Sequence, residues 1–187
     1  MVWTMSGQGY HLALDDKQVN QLLSCSNESE AVDYASQVLE GFSTDEDTTH
    51  IEGGYKDWNV LLLCLTDGTY DPRGGTYPLN KCFFGGRLLA QGGSIVNLVM
   101  PGEVRDVAEA LDKIDRKGFR ERYMRLPPKK FFDHMDSWAK DDEYAYDLFV
   151  NLNKIKKFYR RAAQEGRAVV FYTDDPLDWF LESGTAP

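Results

Sequence analysis

Residues 141–173 read DDEYAYDLFVNLNKIKKFYRRAAQEGRAVVFYT, and this stretch decides the fold class. Ala145, Leu148, Leu152, Ile155, Tyr159 and Ala162 recur at spacings of 3, 4, 3, 4 and 3 residues, which lines one face of an α-helix. Asp141, Asp142 and Glu143 stand at its start, and Lys154, Lys156, Lys157, Arg160 and Arg161 toward its end. That polarity complements the partial charges at helix ends. Gly166 then stops the helix, and the apolar run RAVVFYT returns as a strand. A seam of under four heptads fits the core of one chain better than a coiled coil. Here a long helix feeds directly into a strand.

Working back from there, the same mixture repeats. PGEVRDVAEALDKID predicts an amphipathic helix, with Pro101 near its start and Val104, Val107, Ala108, Leu111 and Ile114 on the inner face. RKGFRERYM predicts one more short helix, broken by the double proline that follows. SIVNLVM reads as a core strand. KDWNVLLLCLTDG, the most apolar run, reads as a buried helix carrying Trp58, Leu61, Leu62 and Leu65 and ending at Gly68. Ahead of it, FSTDEDTTHIEGGY is acidic and glycine-containing and predicts an exposed loop.

At the start, GQGYHLAL predicts a strand with Tyr10, Leu12 and Leu14 on one side. Two helices follow. The first is capped by Asp15 or Asp16, with Val19, Leu22 and Leu23 inward. The second is capped by Asn27 or Ser29, carries Ala31, Tyr34, Ala35 and Val38 inward, and ends at Gly41. Helices and strands are mixed without regular βαβ alternation. The expectation is an α+β fold: one compact domain over residues 1–173, a small mixed sheet packed against several helices including the long C-terminal one, and an extension at 174–187.

Composition bounds the function classes. With 187 residues, 42% hydrophobic and 13% aromatic, the chain suits a packed globule rather than a disordered one. No apolar run approaches the roughly 20 residues of a membrane span, and the first residues lack a signal-peptide pattern. Cys25, Cys64 and Cys82 fit neither a disulfide framework nor a zinc motif. The expected setting is the cytoplasm. The net charge is −9, and residues 1–57 hold 11 acidic and 2 basic side chains while the remainder balances at 19 of each. An acidic field repels nucleic acid and attracts basic partners.

Candidate chemistry is sparse. In NKCFFGGRLLAQGGSIVNLV, Gly85-Gly86 and Gly92-Gly93 could cradle a phosphate, but no lysine follows them and the second pair leads into a strand. They read instead as turn glycines with positive φ, bends bracketing RLLAQ. His11, His50 and His134 are far apart and form no metal-spaced pair. A His50 site with Asp45, Asp47 and Glu52 lacks calcium-loop spacing. No nucleophile elbow is present, and the acidic pairs mostly sit where helix capping explains them. The basic segment from Lys113 to Lys130 reads as a solvated or internally paired face. No catalytic residue, cofactor site or metal site is assigned.

Taken in order, GYHLAL with its following QLL helix, YKDWNVLLLCLTDG, PLNKCFFGGRLL, PGEVRDVAEALDKID with RERY, and LNKIKKFYRRAAQEGRAVVFY resemble the YfbM-like family. These are small bacterial proteins grouped as a domain of unknown function. The similarity runs from about Gly9 to about Thr173. It implies a compact α+β fold and no established activity. Relatives often carry a histidine where this chain has Leu62, so any role of that histidine is lost here.

Two function classes remain. The first is a non-catalytic binding protein, most concretely an immunity protein that neutralises a bacterial toxin such as a secreted nuclease. Its contact residues would be Asp33, Glu40, Asp45, Glu46, Asp47 and Glu52, and its partner a basic protein rather than nucleic acid or membrane. The second is a hydrolase-like enzyme with His11 or His134 beside carboxylates in a cleft. Self-association stays open, as does docking of Leu177, Trp179, Phe180 and Leu181 onto the body.

Overall fold

The computed structural model describes residues 8–42, 47–50, 55–69, 74–91, 94–126 and 141–173. Strand β1 (Gly9–Leu14) leads into helices α1 (Asp16–Leu23) and α2 (Glu28–Gly41), a short strand β2 (Thr48–His50) and helix α3 (Tyr55–Leu65). A 3₁₀ turn at Leu79–Cys82 precedes strands β3 (Arg87–Ala90) and β4 (Val96–Val99). Helices α4 (Pro101–Asp112), α5 (Arg116–Arg125) and α6 (Asp142–Gln164) follow, and strand β5 (Ala168–Thr173) completes the fold. The strands form one sheet in the order β2-β1-β5-β4-β3. Every pairing is antiparallel. The fold is α+β, and the small sheet expected as mixed has all its neighbours antiparallel.

Alternation along the strands gives the sheet two buried faces. Leu12, Leu14, Val96, Leu98, Ala168, Val170 and Tyr172 pack against Val19 and Leu22 of α1 and Ala31 and Ala35 of α2. Ala13, Val99, Val169 and Phe171 point the other way, into the larger core with α3, α4, α5 and α6. β5 is central, and all six of its residues are buried. The result is three layers, two helices, the sheet, then four helices.

Local chemistry sets the helix ends. The Asp15 side chain accepts from the Gln18 amide at 2.8 Å while Gln18 Oε1 accepts from the Asp15 amide at 2.9 Å, a reciprocal capping box. Asn27 caps α2 and Asp141 caps α6 through their side chains. At the other end of α6, Gly166 has φ of 69°. There the Arg167 amide donates to the Ala162 carbonyl at 2.9 Å and the Gly166 amide to Ala163 at 3.3 Å, which reverses the chain into β5. All six residues of the α6 seam are buried, joined by Asn151 and Phe158.

Three expectations change. The acidic stretch 43–54 was expected as loop, but Thr48–His50 pairs with β1 at Tyr10↔His50, His11↔Thr49 and Leu12↔Thr48. RLLA, expected between bends, is strand β3 on β4, with a bulge where Leu88↔Asn97 gives way to Ala90↔Val96. Gly85 and Gly86 are not among the described positive-φ glycines. They are needed for close approach, since a Cβ on Gly85 would lie 2.5 Å from the Asn80 carbonyl oxygen and one on Gly86 2.3 Å from that of Leu98. Gly92-Gly93, His134 and the 174–187 extension lie outside the described residues.

Candidate functional site

His11 is the histidine whose surroundings the structure describes. It is fully buried on β1, facing the larger core. Its Nε2 lies 2.9 Å from the Cys82 carbonyl oxygen. A carbonyl only accepts, so Nε2 carries the proton and Nδ1 keeps its lone pair. The Tyr159 hydroxyl donates to the same carbonyl at 3.1 Å. Rings of Phe171, Phe83, Tyr159 and Phe158 surround the imidazole at centroid distances of 5.1, 5.3, 5.6 and 6.1 Å. Burial pulls its pKa down to about 4, with the hydrogen bond to Cys82 opposing. The imidazole is neutral at pH 7, and aromatic rings stand where the enzyme reading requires carboxylates. His11 fastens the 3₁₀ turn to the sheet.

The cysteines are equally quiet. Cys64 and Cys82 are buried, and burial pushes both thiols up, away from the nucleophilic thiolate. The Tyr144 hydroxyl donates to Asp57 Oδ1 at 2.6 Å, tying the start of α6 to the start of α3. Burial, then that hydrogen bond, raises the Tyr144 pKa. No group of three or more His, Cys, Asp or Glu side chains arranged for a metal ion occurs among the described residues.

A groove of about 470 Å³ runs between the end of α3, the 3₁₀ turn and the α4–α5 junction. Leu65, Pro78, Leu79, Ala110 and Ile114 line it, with Asp67, Lys113, Arg122 and Arg125 among its polar groups. Arg122 donates to the Cys64 carbonyl at 3.2 Å and to Asp67 Oδ1 at 3.3 Å, so part of its hydrogen-bonding capacity is spent holding α5 against α3. Two further bases of the segment read from sequence have partners here, while its Lys129 and Lys130 lie outside the described residues. Arg120 meets Asp142 at 2.6 Å, and Arg116 lies 4.6 Å over the Tyr146 ring.

Of the acidic residues singled out in the sequence, Asp33 and Glu40 are exposed on α2, separated by two helical turns. Asp47 is placed differently. Its carboxylate accepts from Arg167 at 2.9 Å, and both side chains are about 30% exposed (31% and 30%). Asp47 also supplies its carbonyl to the Ala13 amide at 2.8 Å, so it fastens the approach to β2. Asp45, Glu46 and Glu52 lie outside the described residues.

Sequence reading missed Asn97. It sits in the apolar run of β4, is fully buried, and neither amide atom makes a hydrogen bond with the protein. A lone amide inside SIVNLV was the available signal.

No curated protein matches the chain. Among solved structures it is similar to a protein of unknown function, YfbM from Escherichia coli. That match has a TM-score of 0.67 and 20% identity, and covers 89% of this chain and 99% of the other; identity this low speaks to the fold alone. The family described as "Domain of unknown function (DUF1877)" matches residues 5–172, nearly the whole described fold, and the chain therefore belongs to that YfbM-like family.

Proposed function

We propose that this protein is a non-catalytic binding protein, an immunity protein that neutralises a basic bacterial toxin through its acidic α1–α2 side. The observation that carries the reading is the separation of charge between layers. Residues 8–42, which hold α1 and α2, contain six acidic side chains (Asp15, Asp16, Glu28, Glu30, Asp33, Glu40) and one base, Lys17. All seven are exposed. On the opposite layer three acids meet bases, Asp112 on Arg160 at 2.8 Å, Glu103 on Lys81 at 3.0 Å and Asp142 on Arg120 at 2.6 Å. A one-sided negative field speeds encounter with a positively charged partner and orients it. His11 supports the same reading, because it is fully buried among aromatic rings and burial lowers its basicity.

Affinity purification from the native bacterium tests it. The parent protein is expected to recover a basic, toxin-like protein, with association weakening as salt rises. Asp33→Lys combined with Glu40→Lys is expected to slow association by about tenfold or more, while Glu109→Lys combined with Asp147→Lys, the same charge change on the other layer, leaves it unchanged. Equal effects from both pairs, or a preparation carrying only a small bound ligand, would overturn the assignment.

A further inference from the structure

We infer that the protein holds one internal water molecule at Asn97, inside the sheet where β4 meets the bulge of β3. Two observations converge there. Asn97 is 0% exposed, and both its Nδ2 and its Oδ1 lack a hydrogen bond with the protein. Its strand neighbour is irregular at this point, because the register passes from Leu88↔Asn97 to Ala90↔Val96 and leaves Leu89 over. A bulge leaves backbone polar groups of the extra residue outside the ladder.

The chemistry selects the ligand. A carboxamide offers a donor and an acceptor side by side, and water answers both and has capacity left for the bulged backbone. A cation would call for anionic or imidazole ligands, and no such group of three occurs among the described residues. Across β5 the facing residue is Phe171, paired with Asn97 on one side and His11 on the other. The polar contact is therefore local to the β3–β4 seam. The water gives both amide atoms a partner, and it accounts for an amide within an apolar strand.

An atomic-resolution crystal structure of the parent protein decides the matter. The expected result is one ordered oxygen at about 2.7–3.2 Å from the Asn97 side chain. In solution, the Asn97 side-chain amide protons should show cross-relaxation with a long-lived water. An Asn97 amide bonded directly to a protein group, or a dry site beside it, overturns the inference.

Discussion

Substituting Gly86 by alanine tests whether the β3–β4 seam is as tight as the structure has it. The added Cβ would lie 2.3 Å from the Leu98 carbonyl oxygen, 2.9 Å from its carbon and 3.0 Å from Asn97 Nδ2. Relief needs a displacement of about 1 Å to restore ordinary contact, and the obstacle is backbone of an inner strand, which cannot swing away as a side-chain tip would. Overpacking of this kind costs about 1–3 kcal/mol, with the rigid obstacle pointing to the upper end. Loss of glycine's freedom in the unfolded chain returns about 0.4–1 kcal/mol. The net expectation is a destabilisation of roughly 2 kcal/mol, or a urea midpoint lower by about 1 M. The assay is equilibrium unfolding followed by tryptophan fluorescence and circular dichroism. Gly102→Ala in the first turn of α4 is the control, because its Cβ meets nothing within 4 Å; it should stabilise by up to about 1 kcal/mol. If Gly86→Ala unfolds at or above the parent midpoint while the control behaves as stated, close approach is the wrong reason for this glycine.

Two further predictions concern charge. His11 has a folded pKa of about 4, below the ordinary histidine value of 6.5, so its contribution is fully present above about pH 6.5 and is lost as pH falls toward 4, because the unfolded chain binds the proton first. The loss is about 3 kcal/mol, measured as unfolding free energy against pH, and an unchanged slope in His11→Phe would refute it. Arg167 donates to Asp47 at 2.9 Å and to the Ala13 carbonyl at 3.4 Å, and pairs with Glu165 at 3.0 Å. Arg167→Ala should cost about 1–2 kcal/mol and speed hydrogen exchange at the Ala13 amide; exchange that stays at the parent rate would show that Asp47 is held without it.

What could be read from sequence was whatever is encoded locally. The α6 seam, the Asp15 and Asn27 caps and the Gly166 stop each lie within a few residues of the structure they specify, so period and capping chemistry suffice. Strand β2 is different. Its three residues follow an acidic stretch, and only pairing with β1 and the Arg167–Asp47 bond, across 120 residues of chain, make them a strand. Gly85 and Gly86 read as bends from sequence because their obstacles are set by other elements, Leu98 on the neighbouring strand and Asn80 in the preceding 3₁₀ turn. The candidate site divides in the same way. Exposure of Asp33 and Glu40 follows from the α2 helical period, whereas the ion pair that engages Asp47 required β5 to be in place.

The charge asymmetry gains meaning from topology. An excess of acid in one third of a sequence implies nothing about surfaces if that third is scattered through the fold. Here α1 and α2 are consecutive in the chain and together form the layer on one face of the sheet, so their six acids and single base become one side of the molecule. α4, α5 and α6 lie on the opposite face, where Arg120, Arg160 and Lys81 neutralise acidic neighbours at 2.6–3.0 Å. Screening confines electrostatic reach to about 8–10 Å at physiological salt, so an approaching macromolecule feels the side it faces rather than the net charge of −9. The basic partner proposed above would therefore meet the α1–α2 side. The Asp33 and Glu40 reversals probe that side because both carboxylates are exposed on α2, away from the packed face that holds Ala31 and Ala35.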